Sequence, residues 1–148
     1  MKPIKVLLVE DNEADVDLTR ETFEASQLNV ELTVAQDGVE AIDILKGRKS
    51  AHPVSRPDLI LLDLNLPKVD GRQVLLTIKD DRDLKKIPVV VLTSSDAEAD
   101  VVASYQLGAN CFITKPGDFR KYQDVVHALE GFWFAVATLP KATTEPAE

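Results

Sequence analysis

A single cysteine, Cys111, excludes an internal disulfide, and its place inside an apolar run marks it as a small buried hydrophobe. No apolar run approaches the ~20 residues that a membrane-spanning helix requires. No signal peptide is visible, because Met1-Lys2-Pro3 leads straight into a strand-like run. Positive charge is scarce too: 17 Lys and Arg against 25 Asp and Glu leave a net charge of −8. Phosphate backbones need clustered cations, so a nucleic-acid partner is not expected. No internal repeat is present, and no Gly/Ser/Thr-rich loop follows the first strand to cradle a nucleotide phosphate. Neither His52 nor His127 has a metal-ligating neighbour at a useful spacing. What remains is a cytoplasmic globule without a membrane partner, and its 148 residues fit one domain with a real core.

What is present is alternation. Short, continuous Val/Ile/Leu runs at Ile4–Val9, Val30–Ala35, Leu59–Leu62, Val89–Leu92 and Cys111–Thr114 predict strands covered on both faces. Helical stretches fall between them, near Ala14–Ser26, Val39–Leu45, Arg72–Lys79 and Ala97–Leu107. A last helix is expected from about Asp118 to Leu139. Asn12 with Asp15 three residues on suggests an N-terminal cap, and Gly108 a helix stop. Five such units predict an α/β, flavodoxin-like parallel sheet in the order 2-1-3-4-5 with five helices. Ligands in such sheets bind beyond the carboxyl ends of the strands, where strand order reverses. Here that point lies between the strands that end at Asp11 and Asp63.

Asp63 carries the most information. It closes a strand that otherwise reads as wholly buried, and an unpaired buried charge costs several kcal/mol or forces the group neutral. Three other strands end in the same manner, at Glu10-Asp11-Asn12, Thr93-Ser94-Ser95 and Thr114-Lys115-Pro116. Glu10, Asp11 and Asp63 brought together need a cation, and an all-oxygen set suits Mg²⁺. Taken alone, Glu10 and Asp11 would merely cap the first helix. Lys115 offers a point charge for a phosphate or a carboxylate, and Pro116 allows the preceding bond to be cis. Thr93 adds a hydroxyl. A carboxylate so surrounded suits phosphoryl transfer, with Asp63 attacking phosphorus to form an acyl phosphate.

In this order on five βα units, Glu10-Asp11, Asp63, Thr93 and Lys115-Pro116 resemble the receiver domain of two-component response regulators. The resemblance spans about residues 3 to 131. It implies that Asp63 accepts a phosphoryl group from a phosphohistidine on a sensor histidine kinase. It further implies Mg²⁺ bound by Asp11, Asp63 and the main-chain carbonyl of Asn65, with Glu10 acting through water. Lys115 and Thr93 would contact the phosphoryl group, and Thr93 and Phe112 would move together as the switch. Phe112 stands where many relatives carry Tyr, so a role needing a phenol is absent. Asn65 and Ser95 occupy positions that tune hydrolysis in the family.

A single receiver domain over residues 1–139 is expected, with a disordered tail over 140–148 and output through binding an unidentified downstream protein. The chain would not be an enzyme beyond catalysing its own phosphorylation and dephosphorylation. On the last helix, Phe119, Tyr122, Val126, Leu129, Trp133 and Val136 form one apolar stripe, beside a second row of Val125, Phe132 and Leu139. The surplus apolar face suits either deeper packing of the far end or a homodimer. Phe132-Trp133 through Leu139-Pro140, with the His52-Pro53 loop, is similar to single-domain regulators paired with cyanobacterial-type bacterial phytochromes. That implies a phytochrome as phosphoryl donor and a homodimer as one functional form. The runner-up is a Mg-dependent phosphatase of the haloacid dehalogenase type. It normally needs a second acid two residues after the nucleophile, where this chain has Asn65. A flavodoxin-like mononucleotide binder is the third reading, weakened by the missing phosphate loop.

Overall fold

β-branched and leucine-rich runs form the centre of the sheet because both of their faces can be covered. In the computed structural model, which describes residues 3–26, 28–47, 56–134 and 137–140, β1 (Ile4–Val9), β3 (Leu59–Leu62) and β4 (Val89–Thr93) occupy that centre. β2 (Val30–Ala35) and β5 (Cys111–Thr114) are the edges, and all pairings are parallel in the order 2-1-3-4-5. Every residue of β3 and β4 is buried, whereas the edge strands are only partly covered. Cys111 accordingly is half-buried rather than fully so.

Two cores result, one on each face of the sheet. α1 (Glu13–Ala25) and α5 (Phe119–Leu129) cover one face, packing Leu18, Phe23, Tyr122, Val126 and Leu129 on Val6, Leu8, Leu61 and Leu92. α2 (Gly38–Leu45) and α3 (Gly71–Asp80) cover the other, with Ala41, Leu45, Val74, Leu75 and Ile78 on Leu7, Val9, Ile60 and Val91. α4 (Glu98–Gln106) adds the buried Ser104 and stops at Gly108, whose φ of 104° suits glycine alone. The first cap forms as expected: Asp15 N–H donates to Asn12 Oδ1 at 3.0 Å.

The last helix departs from expectation. Its α-helical part ends at Leu129, and Glu130–Phe134 winds as a π-helical turn instead of continuing to Leu139. The turn changes which aromatics point inward: Phe134 reaches α1 and sets its ring edge-on to Phe23, centroids 5.6 Å apart. Phe119, assigned to the inward stripe, is 67% exposed, and Phe132 is 53% exposed. Far-end packing thus occurs, but through Trp133 and Phe134. His52, Val136 and the tail from residue 141 on lie outside the described residues.

Candidate functional site

The sheet's hydrogen-bond ladder runs one residue beyond its strands, and those extra residues are the polar ones. Glu10 N–H donates to Ala35 O at 2.9 Å, Asp63 N–H to Val9 O at 3.0 Å, and Lys115 N–H to Thr93 O at 2.7 Å. Backbone pairing therefore fixes the roots of these side chains. Gly71 tightens the same place, since a Cβ there would lie 2.2 Å from the carbonyl oxygen of Asp63. The loop after β3 folds back over the strand end only because position 71 has no side chain.

Carboxylate oxygens of Glu10, Asp11 and Asp63 all lie within 4.8 Å of one another. Glu10 and Asp63 are buried, while Asp11 is exposed and faces a groove of about 580 Å³ that Glu13, Asp17, Arg20 and Glu40 also line. Burial pushes the Glu10 carboxyl up from an ordinary 4.5 to about 7, against the pull of its hydrogen bond with Lys115. Three hard oxygen donors converging with excess negative charge suit a divalent cation, and one donor open to solvent gives it a way in.

Lys115 spends all three of its N–H donors on carboxylates. Its Nζ donates to Asp63 Oδ2 at 3.2 Å, to Asp15 Oδ2 at 2.9 Å, and to Glu10 Oε1. Burial opposes its charge, but the bonds to Glu10 and Asp15 outweigh this and leave the ammonium's pKa above its usual value. The Lys115–Pro116 bond is trans, as no cis peptide occurs among the described residues. The fourth strand end differs. Thr93 Oγ1 is buried and has no hydrogen-bond partner among the described residues.

Glu10, Asp11, Asp63, Asn65, Thr93 and Lys115 all stand at this end of the sheet. Asn65 follows Asp63 in the loop and donates its N–H to Asp63 Oδ1 at 3.2 Å. Ser95 does not face the acids; its hydroxyl donates to Asp100 Oδ2 at 2.5 Å, and Arg72 pairs with the same carboxylate. Phe112 is half-buried against the α2–α3 core, and its N–H donates to the Tyr105 hydroxyl at 3.1 Å. One residue was missed as part of the site: Asp15, noticed only as a helix-cap partner. The signal was available, because Asp15 lies in the first turn of the helix that follows directly on the acid-bearing end of β1.

The family that this fold and site define is the response regulator receiver domain: residues 6–127 match its model, and the chain belongs to it. Response regulator Rcp1 of Synechocystis sp. is 47% identical over 140 residues, covering 95% of each chain. The solved Mn²⁺-bound form of Rcp1 superposes with a TM-score of 0.89 at 48% identity, covering 94% of this chain and 100% of that one. The phosphorylated cyanobacterial phytochrome response regulator RcpA superposes with a TM-score of 0.91 at 47% identity, covering 95% and 100%. These matches lend no support to a haloacid dehalogenase-type phosphatase. The chain is a receiver-domain response regulator, and no helix among its described residues is long and apolar enough to cross a membrane.

Proposed function

We propose that Asp63 is the phosphoacceptor of this response regulator. It takes its phosphoryl group from a phosphohistidine of a sensor kinase, and that kinase is a phytochrome. The observation that carries the reading is the ammonium of Lys115, 3.2 Å from Asp63 Oδ2 and bonded to two further acids, Glu10 and Asp15. In the transfer, a carboxylate oxygen of Asp63 forms a bond to phosphorus as the P–N bond breaks. The electron pair of that bond returns to the imidazole. Lys115 holds its positive charge against an equatorial oxygen, and Thr93 donates its free hydroxyl to another. Asp11, Asp63 and the main-chain carbonyl of Asn65 would hold Mg²⁺, with Glu10 acting through a water molecule. Bound there, Mg²⁺ neutralises the acids and stabilises charge on the phosphoryl oxygens.

The output is a change in protein binding. A phosphoryl group adds about −1.5 to −2 of charge, and Thr93 moving to meet it opens space for Phe112, so these two residues form the switch. The phytochrome assignment draws on the likeness to RcpA, which is itself described as a phytochrome response regulator. The exposed Phe119 and Phe132 support a homodimer as one form of the protein.

Incubation with acetyl phosphate and Mg²⁺, followed by intact-mass measurement, tests the central claim. The wild type gains one base-labile phosphoryl group and Asp63→Asn gains none. Equal labelling of both proteins removes Asp63 from the role. A phosphorylated phytochrome kinase that labels the wild type faster than an unrelated kinase does supports the donor assignment. Analytical ultracentrifugation with and without the phosphoryl group reads the dimer.

A further inference from the structure

Lys115 would reach three carboxylates, yet only two of them belong to the acid cluster. The third, Asp15, comes from the first turn of α1 and lies nearer the ammonium than Asp63 does, 2.9 Å against 3.2 Å. Resting on the phosphoacceptor reading above, we propose that Asp15 is a positioning residue for the transfer. It anchors the Lys115 ammonium so that the charge stays over Asp63 when the phosphoryl group arrives.

Three features support an anchor rather than a chance ion pair. First, Asp15 cannot drift. Its N–H is held by Asn12 Oδ1 at 3.0 Å, and its carbonyl accepts from Thr19 Oγ1 at 2.8 Å. Thr19 is itself fixed from α5. Its single hydroxyl hydrogen goes to the Asp15 carbonyl, so the contact of 3.3 Å to the buried Tyr122 oxygen has Tyr122 as donor. Second, the Lys115 side chain is only 8% exposed, so water is a poor substitute for a lost anion. Third, Asp15 lies outside the set of acids close enough to share an ion. When Glu10, Asp11 and Asp63 turn to a cation, Asp15 is the acid left to Lys115. A lysine side chain has four rotatable bonds, and a fixed anion at its tip removes the alternatives before the reaction begins.

The test compares wild type, Asp15→Ala, Asp15→Asn and Asp63→Asn. It measures the rate of phosphoryl gain against acetyl phosphate concentration, and Mg²⁺ binding by calorimetry. Asp15→Ala is expected to lower the maximal rate roughly tenfold, as a misplaced group does, with little change in the donor concentration at half-maximal rate. Its Mg²⁺ affinity should stay within about threefold of wild type, since only a neighbouring charge is lost. Asp15→Asn keeps an acceptor oxygen for the ammonium and should recover most of the rate. A merely structural role would not split rate from Mg²⁺ affinity in this way.

Asp15→Ala matching the wild type in maximal rate overturns the role, as does a fall in Mg²⁺ affinity equal to the fall in rate. Asp15→Asn performing no better than Asp15→Ala also overturns it. The Asp63 controls separate this from the reading beneath it. A wild type that takes no phosphoryl group, or an Asp63→Asn that takes one, overturns the phosphoacceptor assignment and the role together. A labelled wild type with an unlabelled Asp63→Asn leaves Asp15 alone under test.

Discussion

The charged flank of Asp63 draws Glu10, Asp15 and Lys115 from β1, α1 and the end of β5, and every Lys115 N–H has a carboxylate to meet. The second flank is Thr93 of β4, the strand between β3 and β5, whose hydroxyl is as deeply buried but has no partner among the described residues. The first flank is satisfied before any phosphoryl group arrives, and its geometry is held by charge. The second flank carries a standing cost, which an anionic oxygen placed within reach would remove. On the roles proposed above, the charge that would meet the phosphoryl group is fixed in advance and the hydroxyl that would switch is left unsatisfied. A phosphoryl oxygen would exchange one anion for another at Lys115, but at Thr93 it would supply a partner where none stood.

The sharpest way to break the comparison is to take the cation out of the satisfied flank. Lys115→Met leaves Glu10 and Asp63, with side chains 2% and 7% exposed, without their counter-charge. Removing one partner of a buried ion pair costs about 3–5 kcal/mol. Urea unfolding in chelator near neutral pH should show a loss of that order, and added Mg²⁺ should recover much of it. A variant as stable as the wild type in chelator would mean that the two flanks do not differ as described.

The architecture was open to inspection in the chain because each strand is rich in Val, Ile and Leu and the two most buried, β3 and β4, carry no charge. Four of the five have the bounds that their composition suggests, and β4 gains only Thr93. The strand order followed from alternation, and the convergence of Asp11, Asp63, Thr93 and Lys115 followed from the strand order. Asp15 was less visible, since its capping role alone accounts for an acid in that place, and the link to Lys115 spans 100 positions. The end of α5 was hidden for another reason. The spacing from Tyr122 to Trp133 suits an α-helix throughout, and Gly131, where the chain could fold back, does not by itself specify a wider turn. The π turn goes with tertiary packing, Phe134 against Phe23 of α1, which no periodicity encodes.

A smaller effect sharpens the same contrast through pH. Glu10 in the folded protein holds its proton up to about 7, against an ordinary 4.5, with burial the largest cause. Between these values the folded state binds more protons than the unfolded chain, so stability falls as pH rises. The contribution is complete below the unfolded value and is lost once pH passes the folded one. In chelator, unfolding free energy should drop on the order of 1–2 kcal/mol between about pH 5.5 and about pH 8. Glu10→Gln should flatten that slope, and so should saturating Mg²⁺, which neutralises the same cluster. A slope of the opposite sign would show that the Lys115 hydrogen bond dominates burial at Glu10.

The smallest effect concerns the unsatisfied flank and carries the opposite sign. Thr93→Val keeps the branched shape that β4 packs and replaces the unpartnered hydroxyl with a methyl group. Removing an unsatisfied buried hydroxyl should stabilise the unphosphorylated protein by about 1 kcal/mol, seen as a higher urea midpoint. The same variant should gain less stability on phosphorylation than the wild type does, because the group that answers the new oxygen is gone. Its labelling by acetyl phosphate should persist, since Asp63 and Lys115 are untouched, while its partner binding responds weakly. If Thr93→Val is instead destabilised at rest, its hydroxyl has a partner already, and the asymmetry about Asp63 disappears.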